Sequence, residues 1–270
     1  MNYTRGIAII GSQRSVAIDN YNTSQIHHSG ANMNSFFCKF SAILLTAFVA
    51  IGVSFSATAE TIAIIGTGNV ASALGPGFAQ QGHDIVYGSR DPARAEVLEL
   101  VANTSSNATA ASQTEAAAQA DIVVLAVPGN VAQDVAANLG DLSGKIVIDP
   151  TNQLAPADDG FMSHTSATSN AEDIQAMHPG AFVVKAFNTL NYQQMIDPSS
   201  SGGPVSIPLA GNDADAKATV AGLVEGMGLE PVDIGSVRFA HVLEGMLAIW
   251  VNARRSGTPY DYYLRLYPQQ

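Results

Sequence analysis

The architecture predicted from this sequence is an α/β fold built on a doubly wound parallel sheet, and three observations predict it. Short apolar runs recur at 61–65, 84–87, 121–127 and 145–149, with stretches of helical spacing between them. Such alternation builds parallel strands joined by right-handed crossovers. The run Thr61-Ile-Ala-Ile-Ile65 passes straight into Gly66-Thr-Gly68-Asn-Val-Ala71, the pattern of a strand, a tight turn and a helix. Charged residues make up only 13% of the chain and hydrophobic ones 47%, a balance that suits strands buried on both faces.

The fold is expected to begin near residue 60. Residues 40–55 form a charge-free apolar run preceded by Lys39 and closed by Ala57-Thr-Ala59, the layout of a secretory signal peptide within 33–59. The run falls short of the roughly 20 residues that span a bilayer, so a membrane anchor at 40–55 is the alternative. Met33 would give the usual short basic segment, and residues 1–59 are read as a leader. Export to the periplasm is the expectation. The lone Cys38 precedes the cleavage site, so a processed chain has no cysteine for disulfides, thiol chemistry or metal binding. The net charge of −11 argues against nucleic acid as a partner.

The first helix, predicted over 69–81, follows two glycines with separate tasks. Gly66 allows the sharp turn, and Gly68 lets backbone amides approach a pyrophosphate at the helix N-terminus. The second strand, 84–87, ends in Gly88-Ser89-Arg90-Asp91-Pro92. A site selective for NAD places a carboxylate about 20 residues beyond the glycines, to accept the ribose 2′-hydroxyl. Ser89 and Arg90 stand there instead, and a hydroxyl beside a guanidinium suits a 2′-phosphate. The cofactor expected from these residues is NADP(H).

Beyond this loop the pattern predicts helices at 93–101 and 114–120, a short strand at 108–111, and a buried strand at 121–128 that Pro128 stops. A helix at 130–139 and a strand at 145–149 follow, then Pro150-Thr-Asn152. Residues 153–168 read as a long loop over the carboxyl edge of the sheet, where ligands bind. A helix at 171–177 and strands at 181–186, 207–210 and 230–234 come next. The turn at 199–204 and a helix at 214–225, capped by Asn212-Asp213, separate the last three strands. Phe239, Val242, Leu243, Met246, Trp250 and Ala253 share one face of a helix at 237–254. The expected domains are the leader at 1–59, a cofactor domain at 60–212 and a C-terminal extension at 213–270.

With these elements placed, the chain resembles the NADPH-dependent reductases of the deazaflavin coenzyme F-420, which are related to the reductase domain of six-transmembrane metalloreductases. The resemblance is carried by Ile64-Ile-Gly-Thr-Gly-Asn-Val-Ala71, Val86-Tyr-Gly-Ser-Arg-Asp-Pro92, Ala120-Asp-Ile-Val-Val-Leu-Ala-Val-Pro128, Val184-Lys-Ala-Phe-Asn-Thr189 and Ala210-Gly-Asn-Asp213. It implies a Rossmann-type sheet with a small helical C-terminal extension. Thr67, Asn69 and Val70 would then hold the pyrophosphate, Ser89 and Arg90 the 2′-phosphate, and Val127 and Pro128 the nicotinamide riboside. Asn152, Ala186 and Asn188 would lie near the nicotinamide. The implied activity is hydride transfer between NADPH and a flavin or deazaflavin acceptor. The alternatives are a flavin-mediated ferric or cupric reductase and a non-catalytic NADP-binding module.

Hydride transfer between flat rings needs contact and orientation more than acid–base help, and no catalytic residue is assigned from sequence. His178 reads as a helix C-cap, His164 as a solvated loop residue and His241 as a partly buried helix residue. Lys185 falls inside a strand pattern, which gives it a structural role at the sheet edge. Arg254 and Arg255 are expected to solvate a helix end and favour its dipole. No His, Asp and Glu cluster has metal-ligand spacing, and no metal is expected. The partners expected are a small-molecule electron acceptor and a second copy through the C-terminal helix.

Overall fold

The computed structural model describes residues 59–258 and 262–266; the predicted signal segment lies outside them, apart from Ala59. In chain order the strands and helices are β1 (Thr61–Ile65), α1 (Asn69–Ala79), β2 (Asp84–Ser89), α2 (Ala95–Ala102), β3 (Thr109–Ser112), α3 (Gln113–Gln119), β4 (Ile122–Val124), α4 (Ala132–Ala137) and β5 (Ile146–Asp149). There follow β6 (Leu154–Pro156), β7 (Met162–His164), α5 (Asn170–Met177), β8 (Phe182–Lys185), α6 (Tyr192–Ile196), β9 (Ser206–Gly211), α7 (Ala214–Gly226), β10 (Glu230–Asp233) and α8 (Ala240–Arg255).

Eight strands form one sheet in the order β10-β9-β8-β5-β4-β1-β2-β3. Alternate residues of β1 serve opposite faces, as the two-residue period of a strand requires. Ile62 and Ile64 pack with Leu74 and Phe78 of α1 and with Leu223 and Val224 of α7. Ala63 and Ile65 pack with Ala116 of α3, Ala136 of α4 and Ile174 of α5. The helices therefore cover both faces, and Ile62, Ala63, Ile64 and Ile65 are all fully buried. The packing is close where α1 crosses β2. A Cβ on Gly75 would stand 1.8 Å from the Tyr87 hydroxyl, which is itself 2.7 Å from Thr104 Oγ1. Burial pushes the Tyr87 phenol up to about 12.

Strand order reverses beside β1, which pairs in parallel with β2 on one side and β4 on the other. Loops leaving the carboxyl ends of β1 and β4 diverge there and open a crevice.

The fold class is the expected one, a doubly wound and mostly parallel sheet; one pairing departs from it, β9 running antiparallel to β8 with Val184 opposite Gly211, and β10, from the expected extension, pairs in parallel with β9 at the sheet's edge. Three expectations need correction. The run 121–128 gives a strand of only three residues, because Ala126–Pro128 leave the sheet and pass the glycine turn. A Cβ on Gly66 would lie 2.1 Å from the Ala126 carbonyl oxygen, and Gly66 has φ +118°, so that position requires glycine. The expected loop at 153–168 contains an antiparallel hairpin, β6 with β7. Asn252 of α8 anchors it: Oδ1 accepts from Met162 N–H at 2.6 Å and Nδ2 donates to the Met162 carbonyl at 2.8 Å. Finally, α8 is rotated from its predicted face. Val242 is 60% exposed, while Ala240, Leu243 and Glu244 are buried, because Glu244 turns inward to a buried lysine.

Candidate functional site

A cleft of about 730 Å³ lies at the crevice, and its walls come from three loops. After β1 it is lined by Gly66, Thr67 and Gly68, after β2 by Ser89, Arg90 and Asp91, and after β4 by Ala126, Val127 and Pro128. Nothing stands within 4 Å of where a Cβ on Gly68 would be, so the backbone there faces open space. Gly68 also N-caps α1, and the first turn carries no acidic residue and no side-chain cap. The helix thus presents bare N–H groups and its positive dipole end to the cleft. Asn69 and Val70 open that first turn.

The loop after β2 is built to hold its shape. Ser89 is nearly buried; its Oγ donates to the Asp91 carbonyl at 3.0 Å and accepts from Asp91 N–H at 3.2 Å. Arg90 is exposed, free to swing toward an anion. Sequence reasoning missed Arg94, which lines the same cleft. Its Nη2 donates to Thr67 Oγ1 at 3.2 Å, and its Nε lies 3.2 Å from Glu96, so it straps the glycine turn to the β2 loop. The signal available was the second arginine of Arg90-Asp-Pro-Ala-Arg94.

Asn152, Ala186 and Asn188 do not line this cleft. They lie beyond the carboxyl ends of β5 and β8, where Asn188 Nδ2 donates to Asn152 Oδ1 at 3.0 Å. The Asn188 side-chain oxygen is buried without a partner. Between Ala186 and Asn188, Phe187 has φ +63°, an uncommon backbone for a large side chain. Its ring is buried edge-on against Phe78 at 6.1 Å, and that packing holds the turn that aims Asn188.

Beneath these amides is a buried ionic cluster. Lys185, Asp149 and Glu244 each have no exposed surface. Lys185 Nζ is 2.9 Å from Asp149 Oδ2 and 2.6 Å from Glu244 Oε1, and it also donates to the Thr151 carbonyl. Asp149 Oδ1 accepts from Thr151 N–H at 2.8 Å and from its hydroxyl at 2.6 Å. Glu244 accepts from Gln153 N–H at 2.9 Å and Asn170 N–H at 3.2 Å. Burial holds the Glu244 carboxyl above its ordinary range, against the pull of Lys185. Lys185 falls inside a strand, as expected, but β8 is interior to the sheet, between β5 and β9, and its partners are ones that sequence spacing could not name.

His178 is the C-cap of α5, as expected. His164 is not a solvated loop residue: its ring lies 4.0 Å from that of His241, and its Nδ1 is buried without a partner. Arg254 sits over the Trp250 ring, 5.0 Å from its centroid, and Arg255 donates to the Gly160 carbonyl. Among the described residues no group of three or more His, Cys, Asp or Glu side chains is arranged to hold a metal ion. No described helix is long and apolar enough to cross a membrane.

Residues 61–153 match the family described as NADP oxidoreductase, coenzyme F420-dependent. A solved structure from Arthrobacter sp. FB24, described as an F420-dependent NADP-reductase, is 32% identical with a TM-score of 0.68; the match covers 74% of this chain and 96% of that one. The F420-dependent NADP reductase of Methanothermobacter thermautotrophicus is 28% identical over 207 residues, 71% of this chain and 88% of that protein. Metalloreductase STEAP3 of Rattus norvegicus is 29% identical over 188 residues, 70% of this chain but only 36% of that protein. This chain thus spans about a third of the metalloreductase it matches and nearly the whole of the deazaflavin-linked enzyme. A glycine turn at a strand-order reversal, a Ser-Arg pair after the second strand and similarity over about three quarters of the chain converge: the chain belongs to the coenzyme-F420-dependent family of NADP oxidoreductases.

Proposed function

We propose that NADPH binds along the cleft and that its hydride passes to a flavin or deazaflavin ring. The observation that carries this is the single cleft shared by the bare N-terminus of α1, the Ser89, Arg90 and Arg94 side chains, and Val127 and Pro128. These residues fit the cofactor. Gly66, Thr67, Gly68, Asn69 and Val70 would receive the pyrophosphate on backbone N–H groups, Ser89 and Arg90 the 2′-phosphate, and Val127 and Pro128 the riboside. When bound, NADPH supplies the hydride. The residues of the chain bind and orient: Asn152 and Asn188 offer amides beyond the sheet edge, with Ala186 between the strand and the Phe187 turn.

No histidine, tyrosine or lysine is among the residues lining the cleft, and Lys185 is engaged by its carboxylates. Carbonyl reduction needs a proton donor at the developing alkoxide, whereas transfer to a flavin-like ring needs chiefly contact and orientation. The residues at hand support the second. Steady NADPH oxidation with a deazaflavin, riboflavin or FMN tests the reading. Turnover that continues from reduced flavin to ferric or cupric ions would favour the metalloreductase variant, and tight NADPH binding without turnover would leave a cofactor-binding module.

The same reading extends to location and assembly. The apolar run at 40–55 and Ala57-Thr-Ala59 support export, and recovery of a periplasmic chain beginning at Glu60 would bear it out. Val242 and Ile249, each about three-fifths exposed on α8, support a homodimer through that helix; a monomeric mass in solution would oppose it.

A further inference from the structure

We propose that the Lys185–Asp149–Glu244 cluster is a positioning device that holds the turn carrying Asn152. This rests on the reading that the nicotinamide of NADPH lies beside Asn152. The cluster grips the backbone on both sides of that residue. Lys185 Nζ donates to the carbonyl of Thr151, immediately before it, and Glu244 accepts from the N–H of Gln153, immediately after it. Asp149 takes the amide and hydroxyl of Thr151. A third restraint comes from the facing loop: a Cβ on Gly129 would lie 1.9 Å from the Asn152 carbonyl oxygen. A fourth is the bond from Asn188 to the Asn152 side chain. The turn is therefore held by β5, β8 and α8, and through Asn170 by the start of α5.

Stability alone does not account for such a cluster. Charges taken out of water carry a desolvation cost that their mutual attraction often fails to exceed, and apolar replacements of similar volume are commonly neutral or better. What charged groups supply that apolar ones cannot is directional hold on particular backbone atoms, and here those atoms belong to Thr151 and Gln153. Glu244 reaches Gln153 from a helix 91 residues downstream, which makes the placement of α8 a determinant of where the Asn152 turn sits. Lys185 and Glu244 touch no cofactor in this scheme and act through Asn152.

The test compares NADPH with adenosine 2′,5′-bisphosphate, which carries the 2′-phosphate but no nicotinamide, on the full chain. Glu244→Leu removes the grip on Gln153; Lys185→Met combined with Glu244→Gln removes one charge of each sign and guards against a variant that fails to fold. Binding of both ligands and the fluorescence of bound NADPH are measured on folded protein. In either folded variant the bisphosphate should bind within about twofold of the unaltered chain. NADPH should weaken by about tenfold, with loss of its bound-state fluorescence, as expected when the nicotinamide loses a hydrogen bond to a displaced turn. Unchanged NADPH binding and fluorescence, or equal weakening of both ligands, would overturn the inference. If the unaltered chain binds neither ligand, the cofactor reading itself fails, and this inference with it.

Discussion

Two regions of the molecule differ in how they are made: the cleft at the glycine turn is open and local, whereas the Asn152 turn rests on a cluster that is buried and long-range. Gly66 to Arg94 supply the first within one stretch of chain, with Arg90 exposed and Arg94 about half exposed. Asp149, Lys185 and Glu244 supply the second from positions 36 and 59 residues apart, all without exposed surface. An open phosphate site works by bare N–H groups and mobile guanidinium groups, which tolerate small displacements. A ring that must meet another ring in van der Waals contact tolerates little, and the end that would hold it is the end that is rigidly built.

This contrast can be broken most severely at the buried end. Lys185→Met alone leaves the Asp149 and Glu244 carboxylates buried without their cation, and a loss of about 3 to 5 kcal/mol in unfolding free energy is expected by denaturant titration. At the open end Arg90→Ala should leave stability within about 0.5 kcal/mol while weakening NADPH by about 1.5 to 3 kcal/mol, the worth of a charged hydrogen bond. NADH binding, measured by the same calorimetry, should hardly change. Arg94→Ala should have a smaller effect of the same kind, about 0.5 to 1 kcal/mol, since this guanidinium is solvated and shared with Glu96 and Thr67.

The smallest effect expected is a dependence on pH. Burial lowers the His83 imidazole from its ordinary 6.5, against the opposing carboxylates of Glu60 and Asp84. Burial, and then His241, lowers His164 in the same direction. His83 Nδ1 accepts the Glu60 N–H at 3.2 Å, which requires the neutral ring at that nitrogen. At these two rings the folded chain thus binds fewer protons than the unfolded one as pH falls below 6.5. Their contribution to stability should be fully present above that value and be lost as pH drops through the lowered folded values. Urea midpoints across this range check the sign, and His83→Gln, which keeps an acceptor, should reduce the slope.

The same contrast explains what could be read from the sequence. The glycine turn, the Ser89-Arg90 pair and the strand–helix alternation are contiguous patterns with a physical reason for each residue, and the fold class follows from them. The buried cluster was not legible, because Glu244 looks like any polar residue on a helix until Lys185 is placed beside it. Helical spacing alone put Val242 inward; the ion pair turned the helix the other way. The hairpin at β6 and β7 escaped because its three-residue strands flank a polar turn and depend on Asn252, 90 residues downstream of Met162. Arg94 was within reach, but a cation four residues past the motif reads as helix-entry solvation until its bond to Thr67 is seen.

The most direct measurement is a titration of the purified chain with NADPH and with NADH under one buffer and salt condition. Binding of NADPH at least about tenfold tighter than NADH is the expected result, since the two differ only by the 2′-phosphate and a charged hydrogen bond to it is worth about 1.5 to 3 kcal/mol. Equal affinity for the two, or binding of neither, would contradict the assignment of the cleft.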